Sequence, residues 1–491
     1  MNTRKINRRD MLKGLGLAVA STALAACAPT PTPEVVEKVV TKEVEKVVTK
    51  EVEKVVEKEK VVKETVVVEK EVEKLQQPVT IAWWNQFSTA TCQEMFPRIV
   101  KDYETLYPWV TVEFEISGGP PGGGQFIEAL LSRIAAGNPP DVVTLWTPPV
   151  QFAARGSLLA IDDQMANAKW AKPGTFYEAP LKSCQWRGET YGLPSSAGCS
   201  CLFINTAAFE KKGISTKRED YPKTWDELKA LSKEFVVWEG EELKYGGFVP
   251  WAQSWVYPAW SGLNGGQIFN DKEEKYYLNS AQNVEWLDYM VKWLDEQYKG
   301  DIEKLNTFGN WGDVYPGSAF AQELCAIGES GSWACTDAEI PFAWEVGKYA
   351  VGPSGKVSVT AWWPNWWALP KGSPHPKEGF LFLEYLCTKG WETWYTAVMD
   401  TPAWKDFSPV ILTTKLVDKV GMDRAKDIHK FFADYLETGV AMWNSPIEDF
   451  AANTLSSAVD EVLHKTKASQ EALDEAQKLC QAKLDETLKG S

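Results

Sequence analysis

The stretch VTIAWWNQF (79–87) is rich in Val, Ile and Trp, and this composition predicts a β-strand. The next segment, EMFPRIVKDYETLYP (94–108), places apolar residues at helical spacing, whereas WVTVEFEI (109–116) alternates as a strand does. The segment FIEALLSRIAAGNPPDVVTLW (126–146) repeats the order of helix and then strand. Strand–helix–strand–helix–strand is typical of an α/β fold with a mostly parallel sheet, so we predict this fold class.

Large flat side chains follow two of these strands. Trp84, Asn85 and Gln86 come at the end of the first strand, and Trp146 comes at the end of the third. Ligands of open α/β sheets bind beside the loops at the carboxyl ends of the strands. We therefore expect these four residues to face a ligand.

The composition restricts the function. The chain has 491 residues, enough for two lobes, and its net charge of −15 argues against nucleic acid as a partner. It has only three histidines, and histidine is the usual proton shuttle and metal ligand, so an enzyme is disfavoured. Tryptophan is unusually frequent, with 24 residues, four of them in AWWPNWWALP (361–370). Such rings either pack in a core or offer a platform to a flat ligand.

The first residues are typical of an export signal. NRRDMLK (7–13) carries two adjacent arginines and leads into the apolar run LGLAVASTALAA (15–26). The arginine pair resembles a twin-arginine signal, and LAAC (24–27) resembles a bacterial lipobox. We predict that residues 1–26 are a signal peptide and that Cys27 is the lipidated N-terminus, held at the outer face of the membrane. A plain signal peptide with an incidental cysteine is the alternative.

Residues 27–77 are predicted to form a solvated tether. VTKEVEKV occurs at 40–47 and again at 48–55, and Val, Lys and Glu continue to about Leu75. Valine favours helices poorly, and these valines have no broad surface to pack against. A short helix or coiled coil is the alternative.

Eight cysteines follow Cys27, and an even number outside the cytoplasm suggests disulfides. Cys325 with Cys335, and Cys184 with Cys199 or Cys201, are the pairs close in sequence. A metal site at 199–201 lacks companion ligands, and we predict neither metal nor cofactor. The glycine loop 118–124 lacks the Lys-Ser/Thr of a phosphate-binding loop and is predicted to be a plain surface loop.

Three motifs lie close together in the centre of the chain: YGLP (191–194), FIN (203–205) and PKTWDEL (222–228), in which Thr224 and Glu227 are spaced as a capping box. Together they resemble the bacterial extracellular solute-binding proteins of family 1, the sugar-binding receptors of ABC importers. Further similar segments cover most of 78–491: PPDVVTLW (139–146), GSLLAID (156–162), WVYPAWSGLNGGQIFN (255–270), AIGESGSWA (326–334), ALPKGSPHPKEGFLFLEYLCTKGWETWYTAV (368–398) and ASQEALDEAQ (468–477).

The resemblance implies a type II periplasmic-binding fold, in which two discontinuous α/β lobes close on a ligand about a hinge. We expect the first lobe at 78–190 and 353–400, and the second lobe at 191–352 and 401–491. The implied function is that of a substrate-binding receptor, a monomer without catalytic activity, that delivers a carbohydrate to membrane permease subunits.

The resemblance also implies which rings contact the sugar, since an indole covers the apolar C–H face of a pyranose. Trp362 and Trp367 are predicted to pack in the core, as are Trp109, Trp225, Trp286 and Trp293. The predicted ligand-binding residues are Trp84, Asn85, Gln86, Trp146, Ser195, Trp255, Glu329, Trp333, Trp363 and Trp366.

Two positions depart from the family pattern. Gly198 stands where relatives often carry an acidic sugar-binding residue, and Ala451 stands where maltose-type receptors have another tryptophan, with Trp443 eight residues earlier. These departures argue against maltodextrin as the sugar. A peptide, polyamine or organic anion in the same fold is the second hypothesis, and a secreted glycosidase with paired carboxylates is the third.

Overall fold

The computed structural model describes residues 77–87, 89–116, 124–250, 256–300, 305, 311–407, 413–440 and 444–490. The predicted signal peptide, Cys27, the tether up to residue 76, nearly all of the glycine loop, Trp255 and Trp443 lie outside these ranges. Within the described ranges, none of the helices has the length and apolar character needed to cross a membrane.

Sixteen strands lie in the described residues. They are β1 (Val79–Asn85), β2 (Val110–Ile116), β3 (Val142–Leu145), β4 (Gln185–Trp186), β5 (Glu189–Thr190), β6 (Leu193–Pro194), β7 (Gly198–Asn205), β8 (Val237–Glu239), β9 (Glu242–Tyr245), β10 (Phe269–Asn270), β11 (Lys275–Tyr276), β12 (Ile327–Gly331), β13 (Trp344–Gly347), β14 (Thr360–Trp363), β15 (Trp366–Ala368) and β16 (Gly439–Val440).

Helices pack around these strands. The α-helices are α1 (Ala90–Leu106), α2 (Gly124–Ala135), α3 (Pro149–Ala153), α4 (Asp162–Ala166), α5 (Glu178–Lys182), α6 (Thr206–Lys211), α7 (Trp225–Lys233), α8 (Tyr257–Leu263), α9 (Ala281–Tyr298), α10 (Ala334–Asp337), α11 (Pro376–Leu386), α12 (Lys389–Tyr395), α13 (Thr414–Val420), α14 (Met422–Leu436), α15 (Glu448–Leu463) and α16 (Ser469–Gly490). A 3-10 helix spans Arg218–Asp220.

The strands form two five-stranded sheets, one for each lobe, and three small hairpins. The first sheet has the order β2-β1-β3-β15-β6, and β1 pairs in parallel with both β2 and β3. The second sheet has the order β12-β7-β14-β16, with β13 also paired to β7. The predicted strand–helix–strand–helix–strand unit is therefore confirmed, and its strands are the parallel part of the first sheet.

The chain passes between the sheets at three segments that lie side by side. The first joins β6 to β7, the second joins β14 to β15, and the third lies between β15 and β16 and includes Thr401. The lobe limits given above stay a prediction. The N–H of Ser195 donates to the carbonyl of Asn365 at 2.9 Å, and the N–H of Ala197 donates to Thr401 at 2.6 Å. Because these three segments connect the two lobes, they are the expected hinge of the fold.

The four tryptophans of 361–370 are divided between the two sheets, because β14 ends at Trp363 and β15 begins at Trp366. Trp367 is fully buried among the rings of Trp83, Phe96 and Trp391 in the first lobe. Trp362 belongs to the second sheet and is also buried. The predicted packing role of Trp362 and Trp367 is confirmed, as is that of three others: Trp225, Trp286 and Trp293.

A local sequence signal fixes the start of α7. The Oγ1 of Thr224 accepts the N–H of Glu227 at 3.2 Å, while the Glu227 carboxylate accepts the Thr224 N–H at 3.2 Å. These two bonds are the predicted capping box, and they satisfy backbone donors that the helix itself cannot pair.

The suggested disulfides are wrong, because the eight described cysteines are free and buried. Two of the thiols have other partners: Cys325 Sγ donates to the carbonyl of Gly247 at 2.9 Å, and Cys199 Sγ lies 3.2 Å from Thr360 Oγ1. Burial raises the pKa of both thiols to about 12. Among the described residues, no cluster of three or more His, Cys, Asp or Glu side chains could hold a metal ion.

Candidate functional site

Trp146 follows β3 and is held in place by residues that follow β1. Its backbone N–H donates to Gln86 Oε1 at 2.7 Å, and its ring stacks on Phe87 with centroids 4.8 Å apart. Gln86 and Phe87 are buried, whereas Trp146 is half-buried. The end of the first sheet thus presents a partly exposed indole, and its contact with a ligand stays a prediction.

Trp333 follows β12 of the second sheet, as Trp146 follows β3 of the first, and it directly precedes α10. A Cβ atom added to Gly331 would overlap Cζ3, Cη2 and Cε3 of the Trp333 ring, and a Cβ added to Gly198 would lie 3.0 Å from Cζ3. The ring therefore rests against two glycines of adjacent strands. A side chain at 198 would compete with this ring for space, which gives a steric reason for glycine at that position.

Trp363 lies close to Trp333, because it pairs across β14 and β7 with Gly198, the glycine against which the Trp333 ring rests. It is half-buried and lies at the last residue of β14, where the chain crosses to the first sheet. After the crossing, Trp366 pairs with Leu145, the neighbour of Trp146. The indoles at 146, 333 and 363 therefore flank one crossing between the lobes.

A small cavity of about 110 Å³ borders Trp333. Asp313, Tyr315 and Asp337 contribute to its wall. Burial raises the pKa of Asp337, and the neighbouring Lys415 acts in the opposite direction. In such an arrangement the indole can cover an apolar face of a ligand, while the carboxylate and hydroxyl oxygens accept hydrogen bonds from the edge of the ligand.

Trp84 and Asn85 complete the predicted residues of the first lobe. Trp84 is half-buried under α2, where its ring packs 5.5 Å from that of Phe126 and 4.5 Å from the Arg133 guanidinium. Asn85 is fully buried at the last position of β1. Ligand contact by these two residues stays a prediction.

Three other predicted residues have interior positions. Trp366 is 2% exposed, and its Nε1 donates to Ser183 Oγ at 2.6 Å. Ser195 is buried in the first crossing, where its Oγ donates to the Asn365 carbonyl at 3.3 Å. Glu329 is fully buried and accepts a hydrogen bond of 3.3 Å from Trp260 Nε1. These contacts favour structural roles for all three residues.

Glu329 should make the stability of the protein depend on pH. Burial raises its pKa from 4.5 to about 8, although hydrogen bonds from Tyr349 and Trp260 lower it. Between these values the unfolded chain loses the proton that the folded protein keeps. The free energy of unfolding should therefore fall as pH rises, by about 1.4 kcal/mol per pH unit from this group.

The variant Glu329→Gln cannot titrate, and it resembles the protonated acid in shape. Urea unfolding at pH 5, 6 and 7 should give a slope against pH that is less negative for this variant than for the wild type. Parallel curves for the two proteins would show that Glu329 is ionised in the fold.

Sequence reasoning missed a polar group beside Trp146. Thr147 and Gln151 of the first lobe hydrogen-bond to Asp449, which lies in the first turn of α15. Its neighbour Glu448 is buried, and burial raises the pKa of that carboxyl well above its usual range. No local pattern marks these residues, because about 300 positions separate the two sides.

A larger cavity of about 580 Å³ lies elsewhere between the lobes. Ala179 and Lys182 of α5 line one side, and the turn around Gly265 lines the other. An ion pair of 2.6 Å joins Lys182 to Asp271 across it, with both side chains more than one-third exposed. Exposed pairs of this kind contribute little to stability, so this pair does little to hold the lobes together.

The sequence profile of the family described as bacterial extracellular solute-binding protein matches residues 89–393. An uncharacterized ABC transporter extracellular-binding protein of Pyrococcus horikoshii is 24% identical over 343 residues, which are 67% of this chain and 72% of that protein. The profile match includes four strands of the first sheet (β2, β3, β6 and β15), the first two crossings, and Trp146, Trp333 and Trp363.

Solved structures show the same fold. CpMnBP1 with mannobiose bound is 20% identical, with a TM-score of 0.67 over 82% of this chain and 99% of that one. An ABC substrate-binding protein from Listeria monocytogenes in complex with cycloalternan is 18% identical, with a TM-score of 0.68 over 84% and 99%. The type II periplasmic-binding fold expected from the sequence is therefore confirmed.

Proposed function

We propose, because this chain belongs to the bacterial extracellular solute-binding protein family, that it is the carbohydrate receptor of an ABC importer. The observation that carries the proposal is the group of partly exposed indoles, Trp146, Trp333 and Trp363, beside the crossing between the lobes. The solved structures of the same fold with mannobiose or cycloalternan support a sugar as the ligand.

The chemistry of the site suits a sugar ring. Stacking that buries roughly 60–80 Å² of apolar surface contributes about 1.5–2 kcal/mol per indole. Two or three such contacts with polar edge contacts reach about micromolar affinity after the costs of association. Asp313 and Asp337 near Trp333 can accept hydrogen bonds from hydroxyl groups and so distinguish one sugar from another.

A transport role also requires protein partners besides the sugar. The receptor would deliver its ligand to permease subunits in the membrane as a monomer, without catalysis and without a cofactor. Family membership supports a position outside the cytoplasm. The twin-arginine-like signal and lipidation of Cys27 remain proposals from the sequence, and globomycin-sensitive processing with labelled palmitate incorporation would test them.

The function is tested by calorimetric titration with mannobiose, maltotriose, arabinotriose, cycloalternan and common monosaccharides. At least one sugar should bind with one-to-one stoichiometry and shift the tryptophan fluorescence. The absence of binding heat and of any spectral change throughout this set would overturn the carbohydrate assignment.

A cationic solute is the second candidate, because Asp313 and Asp337 lie beside the Trp333 ring. Carboxylates together with an aromatic face also recognise ammonium groups. Putrescine and spermidine therefore belong in the same titration series. Saturable binding of a polyamine, with no sugar bound, would favour this candidate over the first.

A further inference from the structure

Gln151 and Asp449 form a reciprocal contact between the lobes. Gln151 Nε2 donates to Asp449 Oδ2 at 2.7 Å, and the backbone N–H of Asp449 donates to Gln151 Oε1 at 2.9 Å. Thr147 Oγ1 adds a third bond, to Asp449 Oδ1 at 3.2 Å. Because three hydrogen bonds involve one carboxylate and one amide, this contact requires a specific relative position of the two segments.

The two partners belong to different lobes. Gln151 lies in α3, immediately after β3 of the first sheet, and α3 packs against β15 and β4. Asp449 lies in the first turn of α15, which packs against α9 and α16. These bonds must break if the lobes separate about the crossings at 195–197 and 364–365.

The surroundings of the contact keep it strong. Gln151 is buried and Asp449 is half-buried, so the hydrogen bonds between them are partly shielded from water. Burial raises the pKa of Asp449, whereas the bonds from Gln151 and Thr147 and the charge of Arg155 lower it. Glu448 is the other acidic group beside it, and the helix N-terminus favours a negative charge at this position.

The contact also lies next to the ligand site, since Thr147 directly follows Trp146. Any rotation that parts Gln151 from Asp449 moves the Trp146 ring away from the second lobe. The Lys182–Asp271 pair also joins the lobes, but both of its side chains are exposed. Of these two contacts, the buried one is the stronger candidate for controlling closure.

We propose that Gln151 and Asp449 are positioning residues that hold the lobes in the closed arrangement in which Trp146 faces the second lobe. The bonds form on closure, so they favour the closed state before ligand arrives and slow ligand release. The part that concerns ligand rests on the proposed function, whereas the part that concerns closure of the ligand-free protein does not.

The decisive variant is Gln151→Glu, which places a second carboxylate opposite Asp449 at nearly unchanged size. In the ligand-free protein it should shift the lobes apart, seen as a larger radius of gyration in small-angle X-ray scattering. It should also weaken binding of whichever sugar of the calorimetric set binds, about tenfold or more, mainly through faster release.

The double variant Gln151→Glu/Asp449→Asn tests the geometry. The new side-chain amide at position 449 and the backbone N–H of the same residue can both donate to the new carboxylate at position 151. The pair is thereby restored with the charge on the other side, so the double variant should regain the wild-type radius of gyration and release rate. Asp460→Asn, an exposed change on the same helix, is the matched control and should alter neither quantity.

Other outcomes separate the two proposals. If no sugar binds, the proposed function fails, and the scattering comparison still decides the closure contact. If Gln151→Glu has the wild-type radius and release rate, or if the double variant stays as impaired as the single one, the closure contact is overturned. Should Gln151→Glu not fold, Gln151→Ala replaces it and should change both quantities in the same direction, by less.

Discussion

Replacing Trp333 with alanine should weaken sugar binding about 10–30-fold. The variant loses one stacking contact of about 1.5–2 kcal/mol, and each 1.4 kcal/mol changes the dissociation constant by about a factor of ten. The ring is partly exposed and rests on Gly331 and Gly198, so its removal leaves the strands beneath it intact. Calorimetric titration of the variant with the best-binding sugar measures the change.

Trp238→Ala is the matched control for this experiment. Trp238 is also a half-buried indole of the second lobe, but it lies in the β8–β9 hairpin beside Lys299 and Gln297. Its removal should leave the dissociation constant within a factor of two. If both variants bind sugar as tightly as the wild type, the Trp333 platform has no part in recognition.

Gly331→Ala is expected to impair binding about as severely, although the new methyl group need not touch the ligand. The added Cβ would overlap three atoms of the Trp333 ring, so the ring must leave its position. Overpacking of this kind commonly costs about 1–3 kcal/mol of stability, which the folded protein should tolerate. Calorimetry and thermal unfolding together measure the two effects.

The double variant Gly331→Ala/Trp333→Ala separates ring displacement from general damage. Once the ring is absent, the methyl group has nothing to displace, so the second change should add little to the loss of affinity. Fully additive losses would mean that Gly331→Ala acts through the strand rather than through the ring.

The local signals in the sequence predicted the local structure well. The alternation in 109–116 and the apolar spacing in 94–108 correspond to β2 and α1, because those side chains pack on one face of the first sheet. The Thr224 and Glu227 spacing is a capping box in the structure for the same reason: all its partners lie within one turn.

The stretch 361–370 shows where periodicity fails. Alternation correctly separated Trp362 from Trp363 within β14, but it could not reveal that the chain crosses to another sheet before Trp366. The crossing resets which face points inward. Trp366 therefore enters the core of the first lobe and bonds to Ser183, a partner 183 positions away.

Long-range partners explain the remaining differences. The even number of cysteines suggested disulfides, yet the eight described thiols are free, and those of Cys199 and Cys325 contact hydroxyl and backbone oxygens that only the folded chain supplies. Gln151 and Asp449 carry no motif, and their contact joins segments 298 positions apart. That Trp84 and Trp146 lie at strand ends could be predicted because strand ends are local features, whereas the polar groups around them could not.

A crystal structure of the protein with the tightest-binding sugar would show whether the tryptophans of both lobes contact the ligand. We expect a sugar ring between the lobes, with its C–H face about 4 Å from the Trp333 indole and with Trp146 contacting it from the first lobe. A ligand bound elsewhere, or one held between the lobes by polar groups alone with both indoles out of contact, would contradict this expectation.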